Sequence, residues 1–396
     1  MPTFYNYTEG GQVYSFDDVF VPADAFRSGN LFTWGTNTNG QIGDNTSTQR
    51  ITPVTTFAGG ANWKQVDCSS STSNGNTVAV KTDGTLWTWG FNAYGQLGDN
   101  TLFLGGRSTP VTTFAGGTNW KQVAFGRDHT AAIKTDGTLW TWGRNSYGQL
   151  GNNTTNNRST PVTTFAGGTN WKQVSGGDEH TAAIKTDGTL WTWGRNSYGQ
   201  IGDNTSTQRI TPVTTFAGGT NWKEVSCGAV NFTAAIKIDG TLWVWGRNQF
   251  GQLGDNTTTQ RNTPVTTFAG GTNWKQVSCG RFHTSAIKID GTLWTWGANF
   301  NGQIGDNTTT QRNTPVTTFA GGTNWKQVTS GYGHILAIKT DGTLWSWGRN
   351  ANGQLGDNTT TQRNTPVTTF AGGTNWKQVA GGYRNTAAIT YIDDYQ

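Results

Sequence analysis

The chain has 396 residues and a formal net charge of +5, and only 13% of its residues are charged. This charged share is about half that of an average globular protein. The basic residues are spread along the chain, so we expect no nucleic-acid partner. The sequence holds 56 Gly and 20 Trp but only three Glu, which favours strands and tight turns and leaves little material for acid–base catalysis. We therefore predict a non-enzymatic all-β protein without a cofactor or a bound metal.

The first 30 residues differ from the rest of the chain. They are too rich in aromatic side chains for an ordinary disordered tail, and the rings belong to Phe4, Tyr5, Tyr7, Tyr14, Phe16, Phe20 and Phe26. We predict that residues 1–30 form a docking segment for another protein or for a second copy of the chain. The open alternative is that the segment packs along the rim of its own domain. These residues lack the pattern of a secretory signal, and no apolar run in the chain is long enough to span a membrane as a helix.

From residue 31 onward one unit recurs through the chain. Trp-Gly closes an apolar run seven times, at intervals of 51–53 residues after a first interval of 55. Each unit contains four short segments with strand character, of the types NWKQVS (A), HTAAIK (B), TLWTWG (C) and TPVTTF (D). TDG joins B to C as in a hairpin, and a Gly-rich turn joins D to the next A. Repeats of this length indicate a propeller, a solenoid or an array.

The two ends of the repeat region are complementary. The chain enters at a C segment (31–35) and leaves after a B segment (385–393). These half-units together make one complete four-stranded blade, which closes a ring but gives a solenoid no advantage. We predict a seven-bladed β-propeller over residues 31–396.

The recurring residues are G-x-x-H-T-x-A-I, then D-G-T-L-W-x-W-G-x-N-x-x-G-Q-L-G, then T-P-V. They resemble the repeats of the regulator of chromosome condensation (RCC1) family over nearly the whole chain. The resemblance implies a seven-bladed propeller. The family's best-known member is a guanine-nucleotide exchange factor, so the resemblance also points to exchange activity. That protein carries a protruding β-wedge and a basic N-terminal tail. Here the only local irregularity is TLFLGGRST (101–109), and residues 1–26 contain no Lys or Arg. We therefore expect no exchange activity.

Copies of the unit differ mainly in two places, the A–B loop and the start of the C–D loop. Strand direction alternates, so both loops emerge on the same face of the predicted disc. Arg and aromatic residues, which are typical of recognition surfaces, are frequent there. The candidate binding residues are Arg127, Asp128, Arg144, Tyr147, Asp178, Glu179, Arg195, Tyr198, Arg247, Phe250, Arg281, Phe282, Tyr332, Tyr383 and Arg384. Drift of unconstrained loops is the alternative explanation.

Several polar residues recur at fixed repeat positions, and we expect structural roles for them. One histidine position is occupied by His129, His180, His283 and His334, but by Asn or Phe in other copies, so it does not define a metal site. The GDNT loop offers a single Asp, too few oxygens for calcium. An arginine precedes each T-P-V or its variant, and we expect it to bond within its own blade; the alternative is a sevenfold basic ring that attracts an anionic partner. The cysteines, Cys68, Cys227 and Cys279, occupy equivalent positions in separate blades, so we expect free buried thiols.

Near-identical repeats with G-Q-L-G-D-N-T loops resemble proteins of bacteria and their phages more than eukaryotic regulators. Our leading hypothesis is a virion-associated or cell-surface binding protein, for example a phage capsid or tail decoration. It would lie on the virion surface if a phage encodes it. A lectin-like glycan binder is the alternative.

Overall fold

The computed structural model describes residues 29–69 and 75–391, together with the backbone of two paired strands at Thr8–Glu9 and Gln12–Val13. The seven aromatic residues of the predicted docking segment lie outside the described residues, so its role stays a prediction. The repeat region forms seven four-stranded antiparallel sheets, each with the spatial order A-B-C-D. The predicted all-β, seven-bladed propeller is confirmed.

We number the blade that contains both chain ends as blade 1, and blades 2 to 7 follow in chain order from Trp63. From blade 2 to blade 7 and then blade 1, the A strands are Trp63–Cys68, Trp120–Phe125, Trp171–Gly176, Trp222–Cys227, Trp274–Cys279, Trp325–Ser330 and Trp376–Gly381. In the same order, the B strands are Asn76–Lys81, His129–Lys134, His180–Lys185, Phe232–Lys237, His283–Lys288, His334–Lys339 and Asn385–Thr390. From blade 1 to blade 7, the C strands are Leu31–Gly35, Leu86–Asn92, Leu139–Gly143, Leu190–Gly194, Leu242–Gly246, Leu293–Gly297 and Leu344–Gly348. The D strands, in that order, are Arg50–Thr55, Phe103–Thr112, Arg158–Thr163, Arg209–Thr214, Arg261–Thr266, Arg312–Thr317 and Arg363–Thr368.

Blade 1 closes the ring as predicted. Its B strand, from the C-terminal end of the chain, pairs with the C strand from the N-terminal end, with Leu31 opposite Ile389 and Gly35 opposite Asn385. The seam is also bonded across blades, since the Trp34 indole N–H donates to the Gln354 carbonyl of blade 7 at 3.0 Å. Ring closure therefore depends on both ends of the repeat region.

The core consists of apolar layers between neighbouring blades. On the C strand of blade 4, Leu190 packs with Trp222 and Trp245 of blade 5. Trp193 faces the other way and packs with Leu139 of blade 3. This is the alternation that TLWTWG predicts, and it explains why the apolar letters of the unit hardly vary.

The G-Q-L-G stretch inserts between blades and fixes their spacing. The Gln149 carbonyl accepts hydrogen bonds from the Trp193 indole at 2.9 Å and the Thr181 hydroxyl at 2.8 Å, both in the next blade. Gly151 has a φ of +65°, and a Cβ there would lie 2.7 Å from the Trp193 indole nitrogen. Only glycine satisfies both constraints.

The A strands line the central channel, and a ring of side chains links them. Its members are Gln65, Gln122, Gln173, Glu224, Gln276, Gln327 and Gln378. Each accepts the backbone N–H of a valine in the next A strand at 2.9–3.3 Å. Five of the glutamines also donate to that valine's carbonyl. Glu224 is the one member of the ring that has no amide to donate.

Candidate functional site

The variable loops meet on one face of the disc, as predicted. The backbone N–H of Arg195, at the start of a C–D loop, donates to the Glu179 carbonyl of the A–B loop in the same blade at 2.8 Å. The same bond recurs between Arg144 and Asp128 in blade 3. We call the surface formed by the A–B loops and the starts of the C–D loops the variable face.

The blade 3 and blade 4 half of this face is an ion-pair network. The Arg195 guanidinium meets the Glu179 carboxylate at 2.5 Å, and Arg144 lies 3.5 Å from both Glu179 and Asp128. Arg127 lies 3.4 Å from Asp128 and 3.6 Å from Asp178. The acids are nearly enclosed, and burial raises the pKa of Asp178 to about 6 although Arg127 opposes the shift. These charges satisfy one another, so this half offers little free charge to a ligand.

The other half, built by blades 5, 6, 7 and 1, is a continuous surface of stacked guanidinium and aromatic groups. Arg281 lies 4.1 Å from the Tyr332 ring centroid and 4.5 Å from that of Phe282. Tyr332 meets Tyr383 edge to face at 4.5 Å, and Arg384 covers Tyr383 at 4.5 Å. We call this surface the cationic–aromatic patch, and its members are Arg247, Phe250, Arg281, Phe282, Phe300, Tyr332, Arg349, Tyr383 and Arg384.

Within the described part of the chain, the four arginines of the patch form no salt bridge. Burial lowers the pKa of Arg281 and of Arg349, and neighbouring arginines lower both further. The Nε atoms of Arg281 and Arg384 are buried without a hydrogen-bond acceptor. The patch therefore holds a concentration of positive charge that forms no ion pair within the described residues.

The remaining predicted residues stack within or between the two halves, and the contact of Arg247 with Tyr198 joins them. Arg195 stacks over Tyr147 at 5.0 Å, and Arg247 stacks over Tyr198 at 4.8 Å. Phe250 packs edge to face against Phe282 at 4.7 Å. Sequence reasoning missed Arg349, although it opens a C–D loop at the position that Arg144, Arg195 and Arg247 hold in theirs. That equivalence was the signal that could have found it.

The recurring polar residues have structural roles. The GDNT aspartate accepts from its own threonine and pairs with the arginine of the same blade, as Asp203 does with Arg209 at 2.6 Å. Arg158 is the exception because Asn152 replaces its aspartate. The histidines have the expected structural role, and three of them contact a threonine hydroxyl in the next blade, as His180 does with Thr233 at 3.0 Å. Burial lowers the pKa of His180 to about 3. All three cysteines are buried free thiols.

The described residues contain no group of three His, Cys, Asp or Glu side chains that could hold a metal ion. They also contain no helix long and apolar enough to cross a membrane.

Comparison with known proteins places this geometry in a family. The RCC1-like domain profile matches residues 106–394, and RCC1 repeat profiles match residues 28–73 and 63–96. The chain belongs to the RCC1-like domain family.

Among its relatives in this family, the ultraviolet-B receptor UVR8 of Arabidopsis thaliana is 33% identical over 354 residues, which cover 86% of this chain and 78% of UVR8. The human E3 ubiquitin-protein ligase HERC2 is 28% identical over 84% of this chain, but the match spans only 7% of HERC2. The fold matches human WBSCR16 with a TM-score of 0.80 at 21% identity, covering 92% of this chain and all of WBSCR16. It matches yeast RCC1 (Prp20) bound to Kap60 with a TM-score of 0.81 at 19% identity, covering 94% and 92%. These relatives come from a plant, human and yeast, so they give no support to a bacterial or phage type or to a virion role.

Proposed function

We propose that the protein is a binding module that docks an acidic segment of a partner protein on its cationic–aromatic patch. The observation that carries the proposal is the set of four half-buried arginines, stacked on aromatic rings and without acidic partners. Glutamate or aspartate side chains of a ligand would supply the missing acceptors at Arg281 and Arg384, and aromatic or aliphatic side chains would pack on Phe250 and Phe300. The ion-paired half would border the contact and offer a ligand little free charge, since Glu179 and Asp178 already pair with arginines.

The family supports a protein ligand. The yeast relative of the same fold is described in complex with Kap60, and a second yeast structure is described together with its binding to Gsp1p and histones. Those partners belong to the yeast protein. For this chain the proposal is limited to the chemistry of the patch, an acidic protein segment with apolar neighbours.

The test is calorimetric titration of the full chain with a glutamate-rich peptide that contains tryptophan. Reversing one charge in the patch, Arg281→Glu, should weaken binding by about tenfold, since a desolvated guanidinium contact is worth roughly 1–2 kcal/mol. The matched control is Arg158→Glu, which makes the same charge change at an arginine outside the patch that also lacks a salt bridge. Arg384→Gln, a milder change, should weaken binding in the same direction.

Melting curves establish that each variant is folded. The proposal is wrong if Arg281→Glu binds the peptide as tightly as the unchanged chain does. It is also wrong if Arg158→Glu loses as much affinity as Arg281→Glu, because the peptide would then respond to net charge and not to the patch.

A second candidate function is guanine-nucleotide exchange of the RCC1 type. One observation favours it: the D strand of blade 2 is extended to ten residues, Phe103–Thr112, and Leu102, Phe103 and Leu104 at its tip are at least half exposed. This tip could contact a GTPase, although the irregularity is small. The expectation that exchange is absent stays a prediction, and nucleotide release from a GDP-loaded Ran-type GTPase tests it. Acceleration by the full chain that Leu104→Ser abolishes would favour the second function over the first.

A further inference from the structure

The opposite face of the disc, formed by the B–C and D–A turns, carries a ring of exposed aromatic side chains. One phenylalanine projects from each D–A turn, and each is 64–67% exposed: Phe57, Phe114, Phe165, Phe216, Phe268, Phe319 and Phe370. The alanine that follows the phenylalanine packs inward on the core, as Ala166 does against the cluster around Trp171. The turns share one conformation, since the two glycines that follow have φ values of +52° to +59° and +78° to +86° in all seven copies. The seven rings therefore lie at the same height on what we call the repeated face.

Packing does not explain why this residue is phenylalanine in every copy. Other exposed positions of the unit have changed between copies. The residue before Asp-Gly in the B–C turn is threonine in four blades but Ile238 and Ile289 in two others, where the isoleucines are 68% and 67% exposed. The phenylalanine is the one large apolar side chain that the unit keeps exposed in every copy, which marks this face as a candidate interaction surface.

Inside the phenylalanine ring lies a second ring, of lysines. The second residue of every A strand is a lysine, and the set is Lys64, Lys121, Lys172, Lys223, Lys275, Lys326 and Lys377. Lys223, Lys275 and Lys326 border a cavity of about 450 Å³ at the channel mouth. Most of these lysines are exposed.

Among the described residues of blades 2 to 7, the other charges on the repeated face nearly cancel. Each of these six blades ends its B strand with a lysine that is held between two tryptophans, as Lys185 is at 4.8 Å from the ring centroids of both Trp171 and Trp191. Each of these blades also has one exposed turn aspartate, such as Asp187 beside Lys185. In these six blades the lysine at the channel mouth is therefore a surplus of about one positive charge per blade.

We propose that the repeated face docks on the surface of an anionic lipid bilayer. Lysines near an anionic surface gain attraction from its potential, and phenylalanine side chains bury well at the boundary between headgroups and acyl chains. A bilayer has no preferred direction in its plane, so seven equal contacts at one height can form at once. A protein partner without sevenfold symmetry could use only one or two of the seven.

Co-sedimentation of the full chain with phospholipid vesicles tests this proposal. The chain should sediment with vesicles of phosphatidylcholine and phosphatidylserine, and not with vesicles of phosphatidylcholine alone. Binding should weaken as salt is added. Replacing three neighbouring rings, in the variant Phe165→Ser/Phe216→Ser/Phe268→Ser, should lower partitioning into the anionic vesicles by about tenfold. These side chains are exposed, so the variant should melt like the unchanged chain.

The matched control replaces three exposed apolar residues elsewhere, Leu102→Ser/Phe103→Ser/Leu104→Ser, and should leave vesicle binding unchanged. The proposal is overturned if the chain does not bind the anionic vesicles or if the three-phenylalanine variant binds as well as the unchanged chain. It is also overturned if the chain is a dimer in analytical ultracentrifugation and this variant is a monomer, because a second copy would then cover the face.

Discussion

Connections between the same strands form both faces of the disc, but the loops of one face differ from blade to blade and the turns of the other face repeat. On the variable face, equivalent positions hold an ion-pair network in blades 3 and 4 and unpaired arginines on aromatic rings in blades 5, 6, 7 and 1. On the repeated face, equivalent positions hold the same phenylalanine and lysine in every blade. A surface that differs from blade to blade suits a single partner of defined shape. A surface that repeats suits a partner that is the same in every direction of its plane, such as a lipid bilayer.

The comparison also shows that constancy among repeats has two physical origins. Gly151 is constant because a side chain there would collide with Trp193. Phe165 is equally constant and points into solvent. Four stability measurements test what the ring needs for folding, from the largest expected effect to the smallest.

Both faces require a closed ring. Deleting residues 380–396 removes the B strand of blade 1, which pairs with the A strand on one side and the C strand on the other. We expect this truncation to abolish cooperative thermal unfolding monitored by circular dichroism. Deleting only residues 392–396 is the control and should leave the melting curve unchanged. A 380–396 deletion that melts like the intact chain would contradict closure through blade 1.

A glycine substitution distinguishes inner packing from turn geometry. Gly151→Ala places a Cβ 2.7 Å from the Trp193 ring at a positive φ, whereas Gly167→Ala on the repeated face has a similar φ of +52° but nothing within 4 Å. We expect a loss of about 3 kcal/mol for the first and about 1 kcal/mol for the second in urea unfolding. Equal losses would show that backbone conformation alone, and not the contact with Trp193, keeps residue 151 glycine.

The channel ring should make stability depend on pH. Burial raises the pKa of Glu224 from 4.5 to about 7, and only the protonated acid could donate to the Val277 carbonyl as the glutamines do at equivalent positions. A raised folded-state pKa means that this contribution is full below about pH 4.5 and is lost as pH rises through 7. Glu224→Gln should remove this part of the dependence and raise the melting temperature at pH 8 by about 3 °C. Asp67, whose pKa burial raises to about 6, would keep its own dependence of the same sign.

The smallest effect concerns the one blade without its local ion pair. Asn152→Asp would give Arg158 the partner that Arg209 has in Asp203 at 2.6 Å. Since the arginine of such a pair stays about a third exposed and water screens the attraction, we expect a gain of about 0.5 kcal/mol in urea unfolding. The reverse change in blade 4, Asp203→Asn, should cost a similar amount. If neither variant changes stability, the pairs in the other six blades are geometric features without energetic weight.

Most of the fold could be predicted from the sequence because one repeat unit recurs seven times. The period, the four strands and the shared closing blade follow from counting, and TLWTWG predicts which way each side chain faces. The D strands begin earlier than predicted, at the arginine, because that residue pairs with the end of the C strand, as Arg209 does with Gly194. TLFLGGRST reads as a short irregularity but lengthens a strand, since Phe103 can pair with Asn92 beyond the usual end of strand C.

The candidate site was predicted less completely. The structure places the variable loops on one face, as the alternation of strand direction predicts, and a binding role for that face stays a prediction. The sequence does not show that Asp128, Asp178 and Glu179 neutralise the arginines of only one half. That depends on the contact between A–B loops of adjacent blades, which lie about 50 residues apart in the chain. The lysine and phenylalanine rings were not predicted as a site because constancy among repeats does not by itself distinguish a structural residue from an exposed one. Only the exposure of each side chain, which requires the fold, separates Phe165 from Gly151.

The most direct test of the division between the faces exchanges variants and ligands. Arg281→Glu and the Phe165→Ser/Phe216→Ser/Phe268→Ser variant are each measured with the glutamate-rich peptide and with vesicles that contain phosphatidylserine. We expect Arg281→Glu to lose about tenfold in affinity for the peptide and to keep its binding to vesicles. We expect the phenylalanine variant to lose about tenfold in partitioning into vesicles and to keep its affinity for the peptide. If either variant weakens both ligands equally, or if both ligands respond only to Arg281→Glu, the faces do not have separate roles.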